Sequence, residues 1–313
     1  MSLFPGAEDY SITHHHLFGI LATEITRRNL DSRGNVRILD VGSGSGSLMR
    51  FLQTALGNRF PNTVFELHGL DVSDSRVQTS DYFHDALTKL MAFHPNVPWT
   101  SRLTLLRSAD DWPYQDEYYD FVVSNQVMEH IRDHQHLFKN LARVLRASGF
   151  SAHLFPLRNS WMEWHVKIPF AHWIANGDVL YSYIRLASLL GLGTWRKYCR
   201  KVKPISLGNF ATMNRDFIAL ETNYLRERDI ERFAKLTGLK FSFRYTEELY
   251  FNRLRLALKR DQDYDFASRS PLFHWLRLIF LKRVSSITLT LEKDNIYFNC
   301  GLHTPDAVST RSS

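Results

Sequence analysis

Three glycines at alternate positions, Gly42, Gly44 and Gly46, directly follow an apolar run that carries one acid, Ile38-Leu39-Asp40-Val41. Glycine lets a backbone turn tightly and approach a ligand with no Cβ in the way. Helical spacing resumes at once, with Leu48, Phe51, Leu52 and Ala55 on one face. Such a helix start presents unpaired N–H groups to electron-rich ligand atoms. The segment is not a dinucleotide fingerprint, because the third glycine comes one residue early. It is not a P-loop either, because no Gly-Lys-Ser/Thr follows. Asp40, two residues before the first glycine, is an awkward neighbour for a pyrophosphate and suits a ligand carrying positive charge.

Positioning such a loop requires strands and helices in alternation, and the first half of the chain supplies them. Val36–Val41, residues 63–71, Leu103–Leu106, residues 118–124 and residues 150–156 read as strands. Residues 47–56, 74–92 and 134–145 read as helices between them. This order predicts βαβ units and a parallel sheet. The alternation breaks over residues 157–221, which are aromatic and basic with scattered glycines and prolines, and resumes with a helix over 223–238 and strands at 239–245 and 287–291. The expected organisation is therefore an N-terminal lid segment (1–30), a core domain (31–156 with 222–300), an insertion (157–221) that roofs the ligand edge as an acceptor-binding lid, and a flexible tail (301–313). A second core-building subdomain is the alternative for the insertion.

Residues 36–155 resemble the class I S-adenosylmethionine-dependent methyltransferases of the methyltransferase-11-like kind. Ile38–Gly46 fits the family's hh-D/E-h-G-x-G-x-G motif, which implies that Asp40, Gly42, Ser43, Gly44 and Gly46 cradle the cofactor. Leu70-Asp71-Val72-Ser73 resembles the end of the second strand, where the family's acid accepts hydrogen bonds from both ribose hydroxyls. Arg107-Ser108-Ala109-Asp110-Asp111-Trp112-Pro113-Tyr114 is similar to G-D-A-E-D-L-P-F and implies an adenine contact through Ser108, Ala109 and Asp110, with Ser108 standing where the family has Asp. Tyr119–His130 resembles F-D-h-V-x-S-x-x-h-x-H-h and sets Asn125 and Gln126 beside the methyl group. The resemblance implies an α/β Rossmann-like fold with a seven-stranded, mostly parallel sheet, and S-adenosyl-L-methionine as cofactor.

Methyl transfer from a sulfonium is an in-line displacement in which the protein positions the nucleophile and excludes water. A hydroxyl acceptor must also lose a proton, so a general base is expected. His130, beside Glu129, is one candidate, and His153 on the fifth strand is another; either also suits a structural role. His165 and His172 lie among Glu163, Trp164, Lys167, Phe170 and Trp173, a mixture that suits a sugar or other polar ring as well as it suits a packed lid. Consecutive His14, His15 and His16 cannot all face one ion on a helix, and no metal site is expected.

The chain has 313 residues, 44% hydrophobic and 23% charged, which excludes disorder and coiled coil. Two cysteines, Cys199 and Cys300, cannot build a disulfide framework, and with no signal peptide a cytoplasmic home is expected. Residues 1–155 carry 14 Lys+Arg against 17 Asp+Glu, whereas residues 156–313 carry 25 against 15. The basic half points to an anionic partner or to a solvated surface in equal measure. Together with the aromatic insertion it leads to a small-molecule or glycan-type acceptor, such as a lipid- or nucleotide-linked sugar, methylated at oxygen. An RNA methyltransferase and a catalytically silent cofactor-binding scaffold are the alternatives, although no RNA-binding module or N/D-P-P-Y/F motif supports nucleic acid. Pro271–Arg283, apolar and aromatic with basic residues, reads as a buried helix, with peripheral membrane contact as the alternative.

Overall fold

The computed structural model describes residues 11–74, 81–260, 266 and 271–294, the side chains of 271–275 excepted. The first ten residues of the expected N-terminal lid, Cys300 and the 301–313 tail lie outside them. Seven strands form one sheet in the order β3-β2-β1-β4-β5-β9-β8: β1 (Asn35–Val41), β2 (Val64–Val72), β3 (Leu103–Leu106), β4 (Tyr119–Asn125), β5 (Leu145–Phe155), β8 (Leu239–Ser242) and β9 (Ile287–Lys293). The first five are parallel, and β9 is antiparallel to both β5 and β8. Strand order reverses direction between β1 and β4, so the ligand crevice of such a sheet lies beyond their C-terminal ends.

Both faces of the sheet are covered, as a parallel sheet requires. One face carries α1 (Ile12–Arg27), α2 (Ser47–Arg59) and α3 (Tyr82–Phe93), through Leu17, Ile20, Leu21, Phe51 and Leu52 packed on Ile38, Phe121 and Phe150. The other carries α5 (His134–Val144) and α9 (Glu227–Leu236), with Leu137, Phe138, Leu141, Ile230 and Phe233 packed on Val122, Leu289 and Leu291. Each such buried side chain contributes roughly 1.5–3 kcal/mol relative to exposure. The short α4 (Trp99–Arg102) leads into β3, and α10 (Thr246–Ala257) follows β8.

The sequence expectations and the structure differ in three places. The helix of 134–144 passes directly into β5 at Leu145, where the Ser148-Gly149 pair marks an irregularity inside the strand: Tyr119 pairs with Leu145, and Phe121 with Phe150. The N-terminal segment is from Ser11 onward a core helix rather than a strip laid over the pocket. Leu17, Ile20, Leu21 and Ile25 are fully buried, and only the first turn of α1 reaches the crevice. The helix α11 (Pro271–Val284) is half-buried: Leu281 is inside, Leu276, Ile279 and Phe280 are exposed, and Arg277 and Lys282 pair with Glu247 and Glu227. No helix among the described residues is long and apolar enough to cross a membrane.

The 157–221 stretch builds a unit of its own. A hairpin of β6 (Met162–Glu163) and β7 (Ile168–Pro169) precedes α6 (Gly177–Leu189), α7 (Trp195–Lys201) and α8 (Leu207–Glu221). Val166, Ile168, Leu180, Ile184, Phe210 and Ile218 form its small core.

A buried ionic cluster ties α1 to α10 and the sheet edge. Glu24, fully buried, accepts from Arg27 (2.6 Å), Arg28 (2.9 Å) and the Tyr245 hydroxyl (2.5 Å), and Arg244 lies 3.2 Å away. Burial alone would raise the Glu24 carboxyl, but these donors hold it below the usual glutamate value. A depressed carboxyl stabilises the fold above its unfolded pKa and loses that contribution as pH falls through the folded value. Glu24→Gln should therefore destabilise at neutral pH by about 3 kcal/mol, the scale of breaking a buried ion pair. Denaturant melts of both proteins should converge as pH falls below about 4; a constant gap across pH would remove the ionic account.

Candidate functional site

A cavity of about 590 Å³ opens at the C-terminal ends of β1, β2 and β4. Its floor is the glycine loop. Gly42 and Gly44 sit at φ +74° and +50°, and a Cβ on Gly42 would stand 2.3 Å from Val127. The amides of Gly42 and Ser43 both donate to the Leu70 carbonyl (2.7 and 3.1 Å), which fastens the loop to the end of β2. Asp71 completes the fastening by accepting from the Gly44 N–H at 2.6 Å and the Val72 N–H at 2.8 Å.

Asp40 is the exceptional group here. It is 3% exposed, lines the cavity, and its Oδ2 has no hydrogen-bond partner. Burial, and then the charge of Asp71, push its carboxyl well above the ordinary aspartate value. Burial also raises Asp71, against the two amides that favour its charged form. An orphaned carboxylate beside a second one fits a cationic ligand.

Val72, Ser108 and Ala109 line the same cavity. Ser108 is held by a residue the sequence reading missed: Asp74 accepts from the Ser108 N–H (3.0 Å) and Oγ (2.8 Å) and lines the cavity too. A carboxylate therefore stands beside the position where the motif lacks one. Two expected contacts lie elsewhere. Asp110 accepts from the Arg107 amide at 2.9 Å and shapes its loop without lining the cavity. Gly46 is the left-handed cap of α2 and faces Leu90, whose Cδ1 would lie 2.9 Å from an added Cβ. Its role is packing.

The opposite wall comes from the loop after β4. Asn125 donates to Thr13 Oγ1 (3.1 Å) and leaves its own carbonyl oxygen unpartnered. Gln126 adopts φ +57° while its N–H donates to the Leu154 carbonyl (2.7 Å), which turns the chain across the cavity. His130 lines the cavity with Nδ1 2.7 Å from the Glu221 carbonyl at the end of α8. Behind it, His165 Nδ1 meets Glu163 at 2.7 Å, and Tyr224 donates to the same carboxylate at 2.7 Å. The two imidazoles stand with ring centres 5.1 Å apart. Burial disfavours a charged His165, but Glu163 outweighs it and raises the imidazole pKa, while burial lowers His130. Glu129, fully buried, has its carboxyl pushed up to about 7 by burial. Glu129, Glu163 and Tyr224 escaped the sequence reading as a group because they join only through the insertion.

The other candidate bases are not at the cavity. His153 is fully buried within β5, with Nδ1 2.8 Å from Ser124 Oγ, and burial drops its pKa to about 3. Neighbouring β4 and β9 enclose it, so a position near the sheet edge in sequence does not expose it. His172 is buried in the insertion, bonded to the Arg158 carbonyl at 3.2 Å and packed on Tyr224. The three N-terminal histidines diverge as helical geometry demands: His14 lines the cavity, His15 packs on Phe51, and His16 meets Thr288 at 2.8 Å.

Because the folded state holds its proton more tightly than the unfolded chain does, Asp40 costs stability as pH rises above the unfolded aspartate pKa. Asp40→Asn should raise the melting temperature of the ligand-free protein at pH 7 by about 2–4 °C, the shift of roughly 1 kcal/mol in a chain this size. The gain should shrink toward pH 4. Equal melting curves at pH 7 would mean that the carboxyl is not strained.

A family model for a methyltransferase domain matches residues 13–202, more than half of the chain. Over 117 residues the chain is 32% identical to the arsenite methyltransferase of Mus musculus, a match covering 37% of this chain and 29% of that protein, and 31% identical to the arsenite methyltransferase of Rattus norvegicus over 37% and 30%. The matched region thus spans less than a third of the length of these curated relatives. Among solved structures, phosphoethanolamine N-methyltransferase 2 of Haemonchus contortus in complex with S-adenosyl-L-methionine is 16% identical with a TM-score of 0.39, covering 82% of this chain and 48% of that one. PKMT2 from Rickettsia typhi is 13% identical with a TM-score of 0.43, covering 83% and 48%. With the seven-stranded sheet and its glycine loop, the family match leads to one statement: the chain belongs to the class I S-adenosylmethionine-dependent methyltransferase family.

Proposed function

We propose that this protein transfers a methyl group from S-adenosylmethionine to an oxygen of a small-molecule acceptor, with a glycan-type acceptor as the preferred class. The observation that carries this reading is a single cavity with two unlike walls. One wall has the glycine loop, Asp40 and Asp71, and the other has His130 backed by Glu129, His165 and Glu163. The volume lies within the roughly 300–1,000 Å³ of small-molecule sites, which suits a cofactor and a modest acceptor better than a folded RNA.

In this reading Asp71 accepts from the ribose hydroxyls, Asp74 takes the adenine amine in place of the missing motif carboxylate, and Asp40 faces the cationic part of the cofactor. Asn125 and Gln126 flank the methyl group. The acceptor hydroxyl lies against His130, and this wall promotes its ionisation during attack. The displacement forms a C–O bond and breaks the C–S bond, whose electron pair returns to sulfur.

Asp71→Ala removes a charged acceptor worth about 1.5–3 kcal/mol, so calorimetry should show cofactor affinity falling roughly tenfold or more. His130→Ala should leave that affinity unchanged and lower kcat by about 10²–10⁴, the span of a lost proton-transfer group. Loss of cofactor binding in the second variant would move His130 to the cofactor side. Methyl-labelled cofactor incubated with cell extract should deliver label to small-molecule or lipid-linked sugar fractions. Label in RNA would overturn the acceptor class, and tight cofactor binding with no transfer would make the protein a scaffold.

A further inference from the structure

Glu129, His130 and His165 offer one ligand atom each within 4.8 Å of one another. Glu129 is fully buried, and apart from its own backbone N–H no donor approaches either carboxylate oxygen. A buried carboxylate without a partner costs several kcal/mol, so a fold that keeps one has something to offset it.

The histidines are oriented as metal ligands usually are. Each has Nδ1 already engaged, His165 by the Glu163 carboxylate (2.7 Å) and His130 by the Glu221 carbonyl (2.7 Å). Such outer partners fix the tautomer and leave Nε2 as the free lone pair. Tyr224 and the Val166 N–H (2.9 Å) hold Glu163 in turn, and Phe217 packs on both imidazoles on the apolar side. Ligand atoms around a tetrahedral ion with bonds of about 2.0–2.2 Å stand roughly 3.4 Å apart. The observed ligand atoms, within 4.8 Å of one another, are somewhat looser than that.

We propose that Glu129, His130 and His165 form a binding site for a divalent transition metal of the zinc class, with its open coordination position facing the cavity. Two imidazoles and one carboxylate favour zinc over magnesium, which prefers an all-oxygen shell. Three protein ligands with a fourth position free is the arrangement of a catalytic rather than a structural site. His130 belongs to the cavity wall, so that fourth position meets the acceptor. Resting on the methyl-transfer reading, the ion would ligate the acceptor hydroxyl and lower its pKa. The proton leaves to solvent as the oxygen attacks the methyl carbon, and the sulfur departs uncharged. His130 then serves through the metal rather than as a free base.

The test uses the full, untagged chain stripped with a chelator and titrated with zinc, with cobalt as a spectroscopic substitute. One equivalent should bind at micromolar affinity or tighter, and cobalt should show the ligand-field bands of a tetrahedral nitrogen/oxygen site. His165→Ala and the isosteric Glu129→Gln should weaken zinc binding at least 100-fold while cofactor affinity stays unchanged. Glu163→Gln, which acts only by orienting His165, should cost 10–100-fold. No stoichiometric zinc on wild-type protein that binds cofactor normally would overturn the metal site and leave the methyl-transfer reading standing. Zinc binding insensitive to both ligand variants would overturn it equally, by locating the ion elsewhere. Loss of cofactor binding by the wild-type protein would strike the methyl-transfer reading alone.

Discussion

Two carboxylates brought together at the ends of adjacent parallel strands set the terms for the rest of this molecule. Asp40 ends β1 and Asp71 ends β2, both are buried, and only Asp71 has its charge answered by protein donors. Placing Asp40 there costs free energy that no local contact returns. The two apolar layers offset it. With five parallel strands covered on both faces, the core is large enough to carry a strained ligand edge. The same pair of strands also fixes the glycine loop, because the Leu70 carbonyl and the Asp71 carboxylate bind three successive amides of Gly42, Ser43 and Gly44. The glycine loop and the electrostatic strain are one construction.

The second wall is shared between the domain and its insertion. Asn223 clamps the loop that carries His130, donating its N–H to the Glu129 carbonyl (2.6 Å) and its side chain to the Ile131 and Arg132 carbonyls (3.0 and 3.1 Å). Glu163, His165 and Glu221 arrive from either end of the 157–221 stretch, and Tyr224 from just beyond it. The insertion therefore has a core of its own and also completes a polar cluster around His130. A rigid small core is what holds such long-range polar partners in register.

Most of the sheet was legible because its signals are local. Apolar runs over β1, β2, β3 and β4 and the Gly-x-Gly-x-Gly turn need only neighbours in sequence. The helix α10 and the three helices of the insertion were not, since their apolar residues alternate with aromatic and basic ones without a clear stripe. For the same reason α1 read as a lid: the histidines at its start disguise a helix buried nearly all round. In the site, motif positions on the loop after β1 and at the end of β2 could be named from sequence. His153 could not be judged, because whether a strand residue near the sheet edge is open or enclosed depends on β9, which returns antiparallel from more than a hundred residues away. Asp74 was invisible because its partner Ser108 stands on a different strand end, joined only when β2 and β3 pair.

The charge pattern gives direction to the proposed reaction. In the proposed site Asp40 would hold a cofactor best while it is cationic, because an opposite charge relieves the cost of its burial. Methyl transfer removes the sulfonium charge, and the product then no longer offsets that cost as fully as the substrate did. The two states of the cofactor share every hydrogen bond to the ribose and adenine, so the difference in their affinities is concentrated on the carboxylate wall. A site that left Asp40 satisfied by a protein donor would hold both states alike and release product more slowly. On the proposed reading, the orphaned acid near the end of β1 would favour fresh cofactor over spent at the same strand ends that hold the glycine loop.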